Sequence, residues 1–175
     1  MVSILQRRRS ARLFIASREI VVMPLTVRPI VGDSEEDTKL LREMATEAQE
    51  YISEFAWCPP IASVSLGFGI GGVVAIFLVL LKEKIEQTDE RLWVVVGDLP
   101  SAYLVVEPQD SAHEALQRYC LLMDDWANEV LAPGTIGKVF PVEAQRTSAN
   151  AGLLLSRLKF IREDIIPLIP IEMID

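Results

Sequence analysis

One histidine and two cysteines stand among the 175 residues of this chain. With His113 the sole imidazole, a Ser-His-Asp or Cys-His mechanism must use it or not exist. Cys120 lies seven residues further on, about 10 Å along a helix, too far for a hydrogen-bonded dyad. Cys58, His113 and Cys120 show no C-x-x-C spacing, so no metal site is expected. No catalytic residue can be nominated, and no cofactor is implied. Two cysteines are too few for a disulfide scaffold, and a reducing cytoplasm is the expected compartment, with both thiols free.

Positive charge is scarce as well, and unevenly placed. The chain has 17 basic and 25 acidic side chains, a net charge of −8. Residues 1–22 hold Arg7, Arg8, Arg9, Arg12 and Arg18 against Glu19 alone, so the remainder carries −12. A body that acidic repels phosphate backbones, which argues against nucleic-acid binding and leaves a basic protein as the fitting partner. An acidic surface also serves solubility alone. The basic start lacks the uninterrupted apolar stretch of a signal peptide: Leu13 to Ser17 is the longest gap between its arginines. Residues 1–22 therefore read as a leader, either disordered or an over-extended start with Met23 as initiator, and a transit peptide fits their composition only in part. Residues 23–175 read as one domain, since half of the residues are apolar and a chain of this size buries about 70% of its unfolded surface.

One run is long. From Ala56 to Leu81 there is no charged residue, enough for a bilayer-crossing helix on length alone. Its first half argues otherwise. Val64, Leu66, Phe68 and Ile70 alternate with Ser63, Ser65, Gly67 and Gly69, the period of a strand. Pro59-Pro60 precedes this stretch, and Gly71-Gly72 suits a type I′ hairpin turn. Val73 to Leu81 is then the returning strand. A two-residue loop predicts that Leu66 faces Phe77, Val64 faces Val79 and Phe68 faces Ala75 on one side, with Gly67 opposite Ile76 and Ser65 opposite Leu78 on the other. The returning strand is apolar on both faces, so elements are expected to cover both sides of the sheet. The same glycines spell G-x-G-x-x-G over Gly67 to Gly72, but the β-branched residues that follow make a poor helix, so the dinucleotide reading lacks its structural context.

The remaining elements follow from capping and periodicity. Ile20 to Val31 has the content of an edge strand interrupted by Pro24 and Pro29. Ser34 caps an amphipathic helix with Leu40, Leu41, Met44, Ala48, Tyr51, Ile52 and Phe55 on one stripe. Gln87 to Arg91 reads as a turn, and Leu92 to Val96 and Ala102 to Val106 as strands that complete a four-stranded meander. Ser111 with Glu114 has the capping-box form and opens a second helix, on whose outer face Glu114 and Arg118 are spaced to pair. Ala132 to Thr147, with two glycines and two prolines, is a long loop, and a last helix runs from about Ser148 to Pro167. The expected fold class is α+β: a four-stranded antiparallel meander with about three helices packed on it.

Three functional classes remain. The acidic body without a catalytic set suits an interaction or regulatory protein that binds a basic partner, as inhibitors and immunity proteins do. A small-molecule binder or enzyme would use a pocket beside Gly67, Gly69 and Asp98, where small residues let a ligand approach the sheet and a turn carboxylate stands at a strand end; a turn aspartate that serves local hydrogen bonding is the plainer account of Asp98. A single-span membrane protein through 56–81 is the third. His113 is expected on a solvent-facing helix surface, as are Asp124 and Asp125, and Trp57, Trp93 and Trp126 in core or rim packing. Nothing in the sequence fixes the oligomeric state.

Overall fold

A computed structural model describes residues 28–84, 90–108 and 110–171. The leader assigned to residues 1–22, and most of the strand expected over 20–31 and of the turn expected over 87–91, lie outside the described residues. Residues 28–31 are not strand; they lead into the first helix.

The order is α1 (Glu35–Ser53), β1 (Ile61–Ile70), β2 (Val74–Leu81), β3 (Arg91–Gly97), β4 (Ala102–Val105), α2 (Ala112–Leu131) and α3 (Ser148–Phe160). The strands form one antiparallel sheet in sequence order, and the fold is α+β, a meander with three helices packed on it. The charge-free run is thus a hairpin rather than a helix, and no helix among the described residues is long and apolar enough to cross a membrane.

α1 covers one face and α2 with α3 the other. Alternation along β2 and β3 makes both possible. Ala75, Phe77, Val79, Leu81, Leu92, Val94 and Val96 meet Leu41, Met44, Ala45, Ala48 and Ile52 of α1. Val74, Ile76, Leu78, Trp93 and Val95 meet α2 and α3. Each large side chain buried in this way stabilises the fold by ~1.5–3 kcal/mol, so the central strands are held from both sides. The Ser34 hydroxyl accepts the Asp37 amide at 3.1 Å and starts α1. Asp37 accepts in turn from the Gly71 amide at 2.7 Å, which ties the helix start to the hairpin turn.

The hairpin follows the expected register only in part. Leu66 faces Phe77, Ser65 faces Leu78 and Val64 faces Val79, but Phe68 faces Ile76 and Gly69 faces Ala75. The loop has three residues, Gly71 to Val73, closed by the Val73 amide on the Ile70 carbonyl at 3.0 Å. Only Gly72 of the glycine pair has a positive φ, +74°, where a type I′ turn needs two. The extra loop residue is absorbed by a bulge at Gly67. Beyond it Phe68 and Ile70 pack on the α2–α3 side, while Val64 and Leu66 stay on the α1 side.

α2 starts at Ser111, whose hydroxyl accepts the Glu114 amide and also bonds the Glu114 carboxylate. The expected Glu114–Arg118 pair does not form. Arg118 turns instead to Glu107, at 2.6 Å, and to buried Asp110. Asp110 also accepts from the Trp93 indole at 3.1 Å and the Glu107 amide at 3.3 Å. A buried carboxylate in need of several donors outcompetes an exposed i,i+4 partner. Along α3, Ala151, Leu154 and Leu158 face the core. The helix then widens into one π turn, Ile161–Ile165, before a short 3-10 turn, Ile166–Leu168, holding Pro167, which has no amide for the Glu163 carbonyl.

Candidate functional site

The three residues nominated from sequence are not brought together. The bulge puts Gly67 and Gly69 on opposite faces, and both faces are filled. A Cβ on Gly67 would meet the Trp93 ring at 2.7 Å and Ala112 at 3.1 Å; one on Gly69 would meet Leu41 at 2.6 Å. These glycines admit a tryptophan and a leucine of the same chain, which is why small residues stand there. Asp98, in the β3–β4 turn, is exposed; its carboxylate accepts from Arg157 of α3, at 3.0 Å from Nε and 2.9 Å from the terminal nitrogen. His113 is not solvent-facing: its side chain is 17% exposed, and its buried Nδ1 has no hydrogen-bond partner. Asp124 pairs with Arg162, and only Asp125 is free helix surface. Trp93 and Trp126 are core residues, whereas Trp57 is 37% exposed.

Trp57 belongs to a surface group of aromatic rings. Tyr51, in the last turn of α1, and Phe55, just after the helix, have ring centroids 5.3 Å apart, edge to face. Phe55 lies 5.4 Å from Trp57 and 5.1 Å from Tyr103 of β4, and Trp57 lies 5.0 Å from Tyr103. Phe140, from the loop between α2 and α3, completes the group at 6.5 Å from Tyr103. Phe140 also packs on the α2–α3 core, whereas Tyr103 packs on the α1 core. The loop therefore passes around the outer edge of β4.

Carboxylates border these rings. The Tyr51 hydroxyl is pushed up to about 12, by burial first, then by Tyr103 and by the charges of Glu143 and Glu54. Glu143 comes from the loop and Glu54 from the end of α1. From Glu54 an acidic stripe continues back along the helix: at 100° per residue, Glu36, Glu43, Glu47 and Glu54 fall within about 40° of one another, and all four are exposed. Like charges at this spacing repel. Partial burial, and Glu50 after it, raise the Glu47 carboxyl above its usual range. Within the stripe Glu43 has Lys39 at 3.9 Å; electron-rich ring faces and exposed carboxylates converge at the end of α1, and both attract a cation.

The loop that brings Phe140 and Glu143 is anchored by Glu129, near the end of α2. Its carboxylate accepts the amides of Gly134 at 2.5 Å, Ile136 at 2.7 Å and Gly137 at 3.2 Å. These bonds hold its acidity at about 2, with a further contribution from Arg146. Both turn glycines adopt positive φ, +85° and +88°, which lets their amides converge on one acceptor.

Compared with protein-family models, curated proteins and solved structures, the chain matches none significantly.

Proposed function

We propose that this protein is an interaction module that binds an arginine- or lysine-rich segment of a protein partner across the aromatic group and the acidic stripe. The observation that carries this reading is the placement of exposed Trp57 among Phe55 and Tyr103, with Glu54 and Glu143 at the rim. A guanidinium stacked on Trp57 would find a carboxylate within reach, and further basic residues would relieve the repulsion along Glu36, Glu43 and Glu47. The cytoplasm is the proposed setting; the support is that Cys58 and Cys120 are free thiols in the fold.

The test is fluorescence anisotropy with a labelled peptide of alternating arginine and serine, titrated with the full chain at several salt concentrations. Trp57→Ala should weaken binding by about 3–10-fold, the value of a partly exposed cation–π contact. Glu54→Gln with Glu143→Gln should weaken it and flatten its salt dependence. Glu163→Gln, an exposed carboxylate beyond α3, should change little. Equal effects from Trp57→Ala and Glu163→Gln, or no binding by the native chain at low salt, would overturn the reading.

A further inference from the structure

The surface proposed above as a cation site has two parts, and the described fold satisfies neither. Beyond the end of α1, Trp57 is 37% exposed beside Phe55 and Tyr103. Along the helix Lys39 stands 3.9 Å from Glu43, whereas Glu36, Glu47 and Glu54 are exposed and have no ion-pair partner among the described residues.

A segment with the chemistry to cover both parts belongs to the same chain. Residues 1–22 contain five arginines and no lysine, and the remainder of the chain carries −12. A guanidinium stacks flat on an aromatic face and bonds a carboxylate through two parallel N–H groups; an ammonium has neither geometry. An all-arginine cation set therefore suits a surface made of rings and carboxylates better than a mixed one.

The attachment point and the reach agree. The chain joins the fold at the end of α1 opposite the rings, where the Gly32 amide bonds the Thr38 hydroxyl at 2.9 Å and Ile30 packs on the α1 core. α1 has 19 residues, about 28 Å at the rise of an α-helix. The stretch from Arg18 to Arg28 can cover up to about 33 Å, and that from Arg12 to Arg28 about 53 Å. Arg18 can thus follow the glutamates along the helix, and Arg12 reaches the rings with slack. Extended chain separates Arg9 from Arg12 by about 10 Å, and the helix separates Glu47 from Glu54 by about the same distance.

We infer, resting on the reading of this surface as a site for arginine-rich segments, that residues 1–22 occupy it on their own chain, with Arg18 along the glutamate stripe and Arg7–Arg12 at Trp57. A tether of this kind holds the arginines at an effective concentration of about millimolar. It favours the leader of the same chain over that of a second copy, whose concentration is far lower. Each exposed cation–π contact is weak, so the leader competes with an outside partner without sealing the site. A partner binds by displacing it, and a segment dense in arginine succeeds where a lone surface arginine does not.

The experiment compares the full native chain with a full chain in which Arg7, Arg8, Arg9, Arg12 and Arg18 are all replaced by serine, folding being checked by circular dichroism. The labelled arginine–serine peptide should bind the native chain about 3–10-fold more weakly than the variant at low salt, and added salt should narrow the gap. Without peptide, the Trp57 indole N–H resonance should differ between the two chains by an amount independent of protein concentration. A native chain that binds the peptide as tightly as the variant, or an unchanged indole resonance, overturns the leader contact and leaves the cation site standing. Failure of both chains to bind the peptide overturns the cation site and the leader contact with it. A resonance difference that grows with concentration makes a second copy the source of the occupant and overturns the contact within one chain. If the five-fold variant loses its folded spectrum, Arg12→Ser alone decides, with an expected gain in peptide affinity of about 2–5-fold.

Discussion

Replacing Asp110 by alanine tests the polar joint between β3, β4 and α2. The carboxylate is buried and accepts from the Trp93 indole, the Glu107 amide and Arg118. Its removal strands the Trp93 N–H in the core, where the residue is 2% exposed, at a cost of ~1–3 kcal/mol. Arg118 is 27% exposed and keeps Glu107 and the Val105 carbonyl, so its loss is discounted for solvent to ~1 kcal/mol. The Glu107 amide is open enough for water to replace its acceptor. The sum is about 3 kcal/mol, a large share of the ~5–15 kcal/mol by which domains are stable, and a fall in Tm of roughly 6–12 °C for a domain of this size. Asp110→Asn keeps an acceptor for the indole and should cost about half as much. Urea denaturation followed by circular dichroism measures both. A double-mutant cycle with Trp93→Phe, which deletes the N–H, should return a coupling of about 1 kcal/mol. A loss below ~1 kcal/mol for Asp110→Ala, or strict additivity with Trp93→Phe, would refute the reasoning.

Two further tests address the turns that frame the sheet and the site. Gly97 has φ +138°, and a Cβ there would stand 2.4 Å from the Val73 carbonyl oxygen. Gly97→Ala therefore combines backbone strain with a backbone clash and should destabilise by about 3 kcal/mol or more; a loss under ~1 kcal/mol in the same denaturation assay would mean that the turn rearranges freely. Glu129 has its acidity lowered in the fold to about 2 from 4.5, so the stability that it lends is complete above 4.5 and is lost as pH falls from there toward 2. The amide resonances of Gly134 and Gly137 should titrate with that low midpoint and lose the transition in Glu129→Gln; a midpoint near 4.5 would show that the carboxylate does not hold the loop.

The parts of the fold that were legible in the sequence are those that local chemistry decides. Ser34 and Ser111 cap their helices because a hydroxyl two or three residues before free amides has few better uses. The alternation from Ser63 to Ile70 identifies a strand because no helix puts large side chains all round at that period. The register was legible from Ser63 to Leu66 and failed on either side, at Ile61 and at Phe68. An unbroken alternation conceals a bulge: the count of residues is unchanged, and what selects the kink is the Trp93 ring and Ala112 lying over Gly67, both distant in sequence. The partner of Arg118 was missed for a related reason. Spacing nominates Glu114, but spacing carries no information about which carboxylate is buried and short of donors, and that was Asp110.

The candidate site was harder still, because no single element contains it. Tyr51, Phe55 and Trp57 are close in sequence and are the one available signal, though Tyr51 and Phe55 also fit the apolar stripe of α1. Tyr103 and Phe140 are isolated aromatics in a strand and a loop; only the path of the loop around β4 gathers them, and that path depends on a carboxylate, Glu129, with nothing in its neighbours to mark it. The acidity of the body was plain from counting, but its arrangement needed the orientation of α1. Once α1 is laid on the sheet, Glu36, Glu43, Glu47 and Glu54 share the flank that leads to the rings, with Lys39 drawn to Glu43 as an ion-pair partner.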